Sequence, residues 1–71
     1  MALTLVNTFR NKKNNNILKV YETPNGNYKG KLLDASKNII SSSMFYVEDK
    51  EASEYRVREY YNFLGNDIET L

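Results

Sequence analysis

Ile17-Leu18-Lys19-Val20-Tyr21-Glu22-Thr23-Pro24-Asn25-Gly26-Asn27-Tyr28-Lys29-Gly30-Lys31-Leu32-Leu33-Asp34 is the stretch that decides the fold. Two β-prone runs flank Asn25-Gly26, the strongest short signal for a hairpin, because a type I′ turn asks for positive φ at both central residues. Pro24, which has no N–H to give to a ladder, stands where a strand can dispense with a donor. A two-residue turn then sets the register. Thr23 opposes Tyr28, Tyr21 opposes Gly30, Lys19 opposes Leu32 and Ile17 opposes Asp34 on one face; on the other, Glu22 opposes Lys29, Val20 opposes Lys31 and Leu18 opposes Leu33. The first face, with Ile17, Tyr21, Tyr28 and Leu32, is expected to meet the core, Gly30 leaving room for Tyr21. The second holds Leu18, Val20 and Leu33 beside Lys29 and Lys31. A face that is half apolar is expected to be covered, by the N-terminal strand region or by another molecule.

Outward from the hairpin, Asp34-Ala35-Ser36-Lys37-Asn38 supplies a second turn, and residues 39–46 alternate as a third strand. Residues 2–9 alternate more loosely and read as a strand preceding the meander. Between them and the hairpin lies Arg10-Asn11-Lys12-Lys13-Asn14-Asn15, a polar basic loop. Residues 49–64 read as the one helix. Asp49 is its N-cap, acids crowd its first turns, Arg56 and Arg58 follow, and Gly65 stops it in the left-handed region. Ser53, Val57, Tyr60, Tyr61 and Leu64 form the stripe that faces the sheet, while Phe63 falls on another side, exposed or reaching a partner. Ile68 and Leu71 give residues 67–71 something to bury, as a short strand or a docked tail. The expected architecture is α+β: one domain over 1–71, with a small antiparallel meander of three to four strands packed by a C-terminal helix.

Seventy-one residues lie near the lower limit for a chain that folds without a staple. With no Cys and no His there is neither a disulfide nor an ordinary zinc site, so packing or oligomerisation must make up the difference. No apolar run approaches the roughly 20 residues of a membrane span. The N-terminus lacks the basic flank and apolar region of a signal peptide, so a cytoplasmic protein without membrane attachment is expected. Ten asparagines, with much Lys and Ile, are in keeping with an AT-rich bacterial or phage coding sequence. The charge is uneven. Residues 1–40 carry seven Lys/Arg against two acids, and residues 41–71 carry three against seven, which favours anions at one end or basic-to-acidic pairing between subunits.

Residues 25–52 resemble the YegP-like family of small bacterial proteins. The resemblance rests on Gly26, Tyr28, Leu32, the turn ending at Asn38, Ile40, Ser42-Ser43, Tyr46 and Ala52, in order and without a gap. The family's Asn-Gly in the second turn is Lys37-Asn38 here, and the strand at 2–9 has no counterpart. The resemblance implies a β-β-β-α-β unit that pairs with a second copy and exchanges its last strand, here residues 67–71. It implies no biochemical activity. Three strands followed by a helix also resemble the sheet-type DNA-binding domains of some phage-type integrase arms, which read the major groove from the open face of the sheet.

Chemistry is sparse. Ser41, Ser42 and Ser43 have no histidine, Gly-x-Ser-x-Gly elbow or Ser-x-x-Lys pattern to activate them, and small hydroxyls under a helix are packing residues. Asp34, Glu48 and Asp49 could meet at one end of the sheet around a hard cation, but no loop has calcium-site spacing. Three separated glycines make no phosphate cradle. An enzyme is therefore not expected, and neither is a cofactor or a metal. Two functions compete. The first is a non-catalytic interaction module, homodimeric, that binds a protein partner through Leu18, Val20, Lys29, Lys31 and Leu33. The second is a small nucleic-acid-binding protein that contacts DNA through Arg10, Lys12, Lys13, Lys29 and Lys31.

Overall fold

The turn after residues 17–22 sets the register of the fold. The computed structural model describes residues 2–71, which form β1 (Thr4–Asn11), β2 (Ile17–Glu22), β3 (Tyr28–Leu33), β4 (Ile39–Phe45), a 3-10 turn (Val47–Asp49), α1 (Glu54–Tyr60) and β5 (Ile68–Thr70). Thr23 N–H donates to the Asn27 carbonyl at 2.8 Å, Gly26 N–H donates to the Thr23 carbonyl at 3.1 Å, and Gly26 has φ +85°. Pro24, Asn25 and Gly26 thus make a three-residue loop, a type I turn closed by a left-handed glycine, in place of the two-residue type I′ turn. Proline's fixed φ suits the first central position of a type I turn.

One extra loop residue moves the register by one and turns β3 over relative to the expected pairing. Val20 now faces Gly30, Leu18 faces Leu32, Lys19 faces Lys31 and Ile17 faces Leu33. The core face is therefore the one with Leu18 and Val20, both fully buried, and the outward face holds Ile17, Lys19, Tyr21, Lys29, Lys31 and Leu33. The next turn repeats the scheme. Asp34 N–H donates to the Asn38 carbonyl at 2.9 Å, the Asp34 carboxylate accepts from the N–H groups of Ser36 and Asn38, and Lys37 takes the left-handed position at φ +68°.

The sheet has five antiparallel strands, ordered β4-β3-β2-β1-β5, rather than three or four. The fifth is the C-terminal segment, and β5 pairs with β1 of its own chain, Arg10 opposite Glu69 and Asn11 opposite Ile68. A bulge at Val6 lets β1 follow the twist of β2.

The helix is shorter than the expected 49–64. Val47–Asp49 makes a separate turn that ends at Lys50, φ +59°, and α1 starts only after Ser53. The Ser53 hydroxyl, not Asp49, is the cap, accepting from Arg56 N–H at 3.1 Å. At the other end Asn62 (φ +59°) takes the left-handed position expected of Gly65. Phe63 N–H reaches the Arg58 carbonyl at 2.7 Å and Asn62 N–H reaches that of Glu59 at 3.1 Å, a Schellman ending. That ending drives Phe63 into the core, so it is buried instead of exposed. Arg58 holds it there, donating to the Phe63 carbonyl at 3.0 Å while its guanidinium lies 4.3 Å from the Phe9 ring centre.

Phe9, Leu18, Val20, Phe45, Val57 and Phe63 form one core, with Val6, Tyr28, Leu32, Tyr61 and Ile68 packed around it. Burial of each such side chain contributes about 1.5–3 kcal/mol before entropy is counted. Buried Asn27 joins the ends of two strands, its side-chain oxygen accepting from Val47 N–H at 3.0 Å. Gly30 makes room for the helix and not for Tyr21. A Cβ there would stand 2.6 Å from Val57 Cγ1 and 2.7 Å from Tyr61 Cε2.

Gly30→Ala is therefore expected to lower stability by about 1–3 kcal/mol, the usual range for overpacking. Val57→Ala, destabilising alone, should cost much less in the Gly30→Ala background, and a urea-unfolding double-mutant cycle reads the coupling. Additive effects would show that Gly30 and Val57 are not in contact.

Candidate functional site

All helical mass lies on one side of the sheet, so its other side is bare, and the register lays three rows across it. Leu5, Tyr21, Lys29 and Met44 form one row. Thr8, Lys19, Lys31 and Ser42 form the middle one. Glu69, Arg10, Ile17, Leu33 and Ile39 form the third. Leu71, whose N–H donates to the Thr8 carbonyl at 2.8 Å, closes the edge. A shallow hollow of about 210 Å³ between these rows is lined by Thr8, Ile17, Lys19, Leu33, Lys37 and Leu71. Leu33, only 7% exposed, forms part of that lining.

Electrostatics distinguish the cations of this face. Arg10 is bound by Glu69, its Nε donating to Oε2 at 2.6 Å. Lys19, Lys29 and Lys31 are in no ion pair among the described residues. Lys19 and Lys31 stand directly opposite each other, an arrangement that is unfavourable in an antiparallel pair unless an anion lies between or above them. The Lys31 ammonium lies 5.6 Å from the Tyr21 ring centre, on the same face. The acids Glu48, Asp49, Glu51, Glu54 and Glu59 belong instead to the 3-10 turn, the helix and the link between them. The uneven charge of the chain has become a difference between the two sides of the sheet.

Of the residues expected to bind a partner, Lys29 and Lys31 lie on the bare face, and Leu33 is on the same side of the sheet but buried. Leu18 and Val20 are on the other side; the three-residue turn places them under the helix, inaccessible to any partner. Of the residues expected to bind nucleic acid, Lys29 and Lys31 are again on the bare face, while in the basic loop Arg10 and Lys13 are ion-paired and Lys12 is held only by its backbone. Lys13 pairs with Asp67 at 3.4 Å, Lys12 N–H donates to the Asp67 carbonyl at 2.8 Å, and Arg10 pairs with Glu69. The C-terminal segment thus brings Asp67 and Glu69 to the loop that was expected to seek phosphate.

Sequence reasoning missed Lys19, Tyr21, Ile17 and Leu71 as surface residues. Pro24 was the available signal: read as the first central residue of a type I turn, it lengthens the loop and puts Lys19 opposite Lys31.

No other cluster competes. Asp34 and the Glu48-Asp49 pair sit at opposite ends of β4, separated by roughly 20 Å of strand, and cannot share a cation. Among the described residues no group of three or more acids could hold a metal ion. A second hollow, about 140 Å³, is lined by Phe45, Glu51, Arg56, Glu59 and Tyr60. Its Arg56 is engaged by the Glu59 carboxylate, whose hydrogen bond raises the guanidinium above its ordinary value. No described helix is long and apolar enough to cross a membrane. Neither a protein family, nor a characterised protein, nor a solved structure matches the chain.

Replacing Lys31 with Glu turns the facing lysines into an opposite-charge pair and should raise stability by about 0.2–1 kcal/mol at low salt. Lys29→Glu, which faces Tyr21, should gain less. Urea unfolding checks both; equal effects would mean that the Lys19–Lys31 repulsion is negligible.

Proposed function

We propose that this chain is a non-catalytic protein-binding module, cytoplasmic and of bacterial or phage origin, whose contact surface is the bare side of its sheet. One observation carries this reading. Among the described residues Lys19, Lys29 and Lys31 are in no ion pair, and on the side of the sheet away from the helix Lys19 and Lys31 lie side by side between Tyr21 and the Ile17–Leu33 pair, with Lys29 beside Tyr21. Such a face suits a partner with carboxylates at its centre and apolar atoms on either side: apolar contact supplies affinity, and complementary charge supplies orientation and association rate. The chain itself needs no cofactor for this role, and no constellation of nucleophile and base argues for catalysis.

A second reading, nucleic acid, is favoured by a different feature of the same face. Lys19 and Lys31 face each other with Lys29 beside them and Tyr21 within reach, which is the pairing of cation and aromatic ring that single-stranded nucleic acid uses.

Affinity capture separates the two. Immobilised wild-type protein and Lys50→Glu, altered on the acidic side, should retain the same protein, and a variant with Lys19, Lys29 and Lys31 all changed to Glu should lose it. Failure of the triple variant to lose it would overturn the assignment of the face. A gel shift with duplex and single-stranded DNA at low salt, where counterion release is most permissive, tests the second reading. A shift abolished by Lys29→Ala and Lys31→Ala would replace the protein reading with the nucleic-acid one, and no shift would eliminate it.

A further inference from the structure

The two edges of the sheet are unlike. β5 is three residues long and pairs its inner side with β1, whereas β4 runs for seven residues, Ile39–Phe45, with its outer side open. Every second residue of β4 turns its N–H and C=O to that open edge, a template for another strand. Natural sheets guard such edges with charge, with proline or with a covering element. Ile39-Ile40-Ser41-Ser42-Ser43-Met44-Phe45 has no charge and no proline. Its one irregularity, the bulge at Ile40, lies at an end and leaves Ser41 to Phe45 regular.

Apolar exposure gathers along the same edge. Five of the ten exposed large hydrophobic residues belong to β4 or follow it directly: Ile39, Ile40, Met44, Tyr46 and Val47. Ile39 and Ile40 are 62% and 54% exposed. Tyr46 continues the extended path, at φ −100° and ψ 133°.

We infer that β4 pairs antiparallel with β4 of a second copy, about a two-fold axis at Ser43, to give one continuous ten-stranded sheet. The regular segment centres on Ser43, and the register that follows is self-complementary. Ser42 meets Met44 of the other copy, Ser41 meets Phe45, Ile40 meets Tyr46, and Ile39 comes to Val47. The ends complement each other in charge: Lys37, just before β4, arrives at Glu48 and Asp49, just after it, once at each end of the seam. An isologous contact of this kind closes on itself and leaves no further β4 edge exposed. Both helices stay on one side, and the bare faces join into one surface. The pairing does not depend on what that surface binds.

The absence of cysteine makes the test clean. Ser43→Cys should form a disulfide-linked dimer rapidly under mild oxidation, because directly opposed residues of an antiparallel pair lie within disulfide reach; Lys50→Cys should not. Wild type should sediment as a dimer at tens of micromolar. The double variant Ser42→Glu, Met44→Glu should sediment as a folded monomer. Within the chain its carboxylates face Lys31 and Lys29, which keeps the fold intact, but across the seam they face each other. A strictly monomeric wild type would overturn the inference, as would a dimer unaffected by the double variant or a Ser43→Cys protein that fails to crosslink.

Discussion

The contact of α1 with the backbone of Gly30 is the constraint on which the rest of the fold depends. A helix of seven residues is far below the length that holds itself together in water, so α1 exists because it is packed. Its buried side chain is Val57, which with Tyr61 comes down on β3 at the one position without a Cβ. Any larger residue would lift the helix away from Leu18 and Val20 and open the centre of the core. The Ser53 cap, the Schellman ending at Asn62 and the Arg58 bond to Phe63 then serve one purpose, to keep two turns of helix on that spot. Phe63 and Ile68 extend the cover toward β1, where the helix is too short to reach.

Much of this was legible in the chain. The meander, the single helix and the apolar tail follow from alternation, helical spacing and turn residues, and the C-terminal segment does form a strand. The faces of the hairpin were not legible, because both runs carry apolar residues on both sides. Leu18 and Val20 compete with Ile17 and Tyr21, and Leu32 competes with Leu33, so the pattern alone does not choose. The loop length chooses. Asn25-Gly26 satisfies a two-residue turn by composition, but Pro24 extends the turn, only Gly26 takes positive φ, and one residue of slip exchanges core for surface. Helix length was overestimated for a related reason. The acids and apolar residues of 47–53 have helical composition, but Asn27 takes the N–H of Val47 and Lys50 turns left-handed, which ends that turn before the helix begins.

The candidate site was legible in its charges and not in its geometry. Lys29 and Lys31 were identified because they stand next to an apolar pattern, and they are on the open face. Arg10, Lys12 and Lys13 were identified because they are close in sequence. What removes Arg10 and Lys13 from the free cations is Glu69 and Asp67, distant in sequence and brought in by the C-terminal segment. Sequence proximity collects charges; the fold decides which of them remain unpaired.

That division explains how a face with so much apolar surface can stay open in the monomer. Lysine stems lie along neighbouring apolar atoms while the ammonium remains in water, so Lys19, Lys29 and Lys31 are suited to shield half-buried Ile17 and Tyr21 without sealing them. Leu71, held to Thr8 by its N–H, shares a hollow with Ile17 and Leu33 on the β5 side. The edge at β4 has no such protection, because its serines are too short to cover anything and no lysine stands on it. Shielding by flexible stems is easily displaced by a partner that offers both carboxylates and apolar atoms, whereas an unguarded strand edge is a template for another strand. The two surfaces of this small sheet therefore differ in the contact that would satisfy each: carboxylates and apolar atoms for the face, an uncharged strand for the edge.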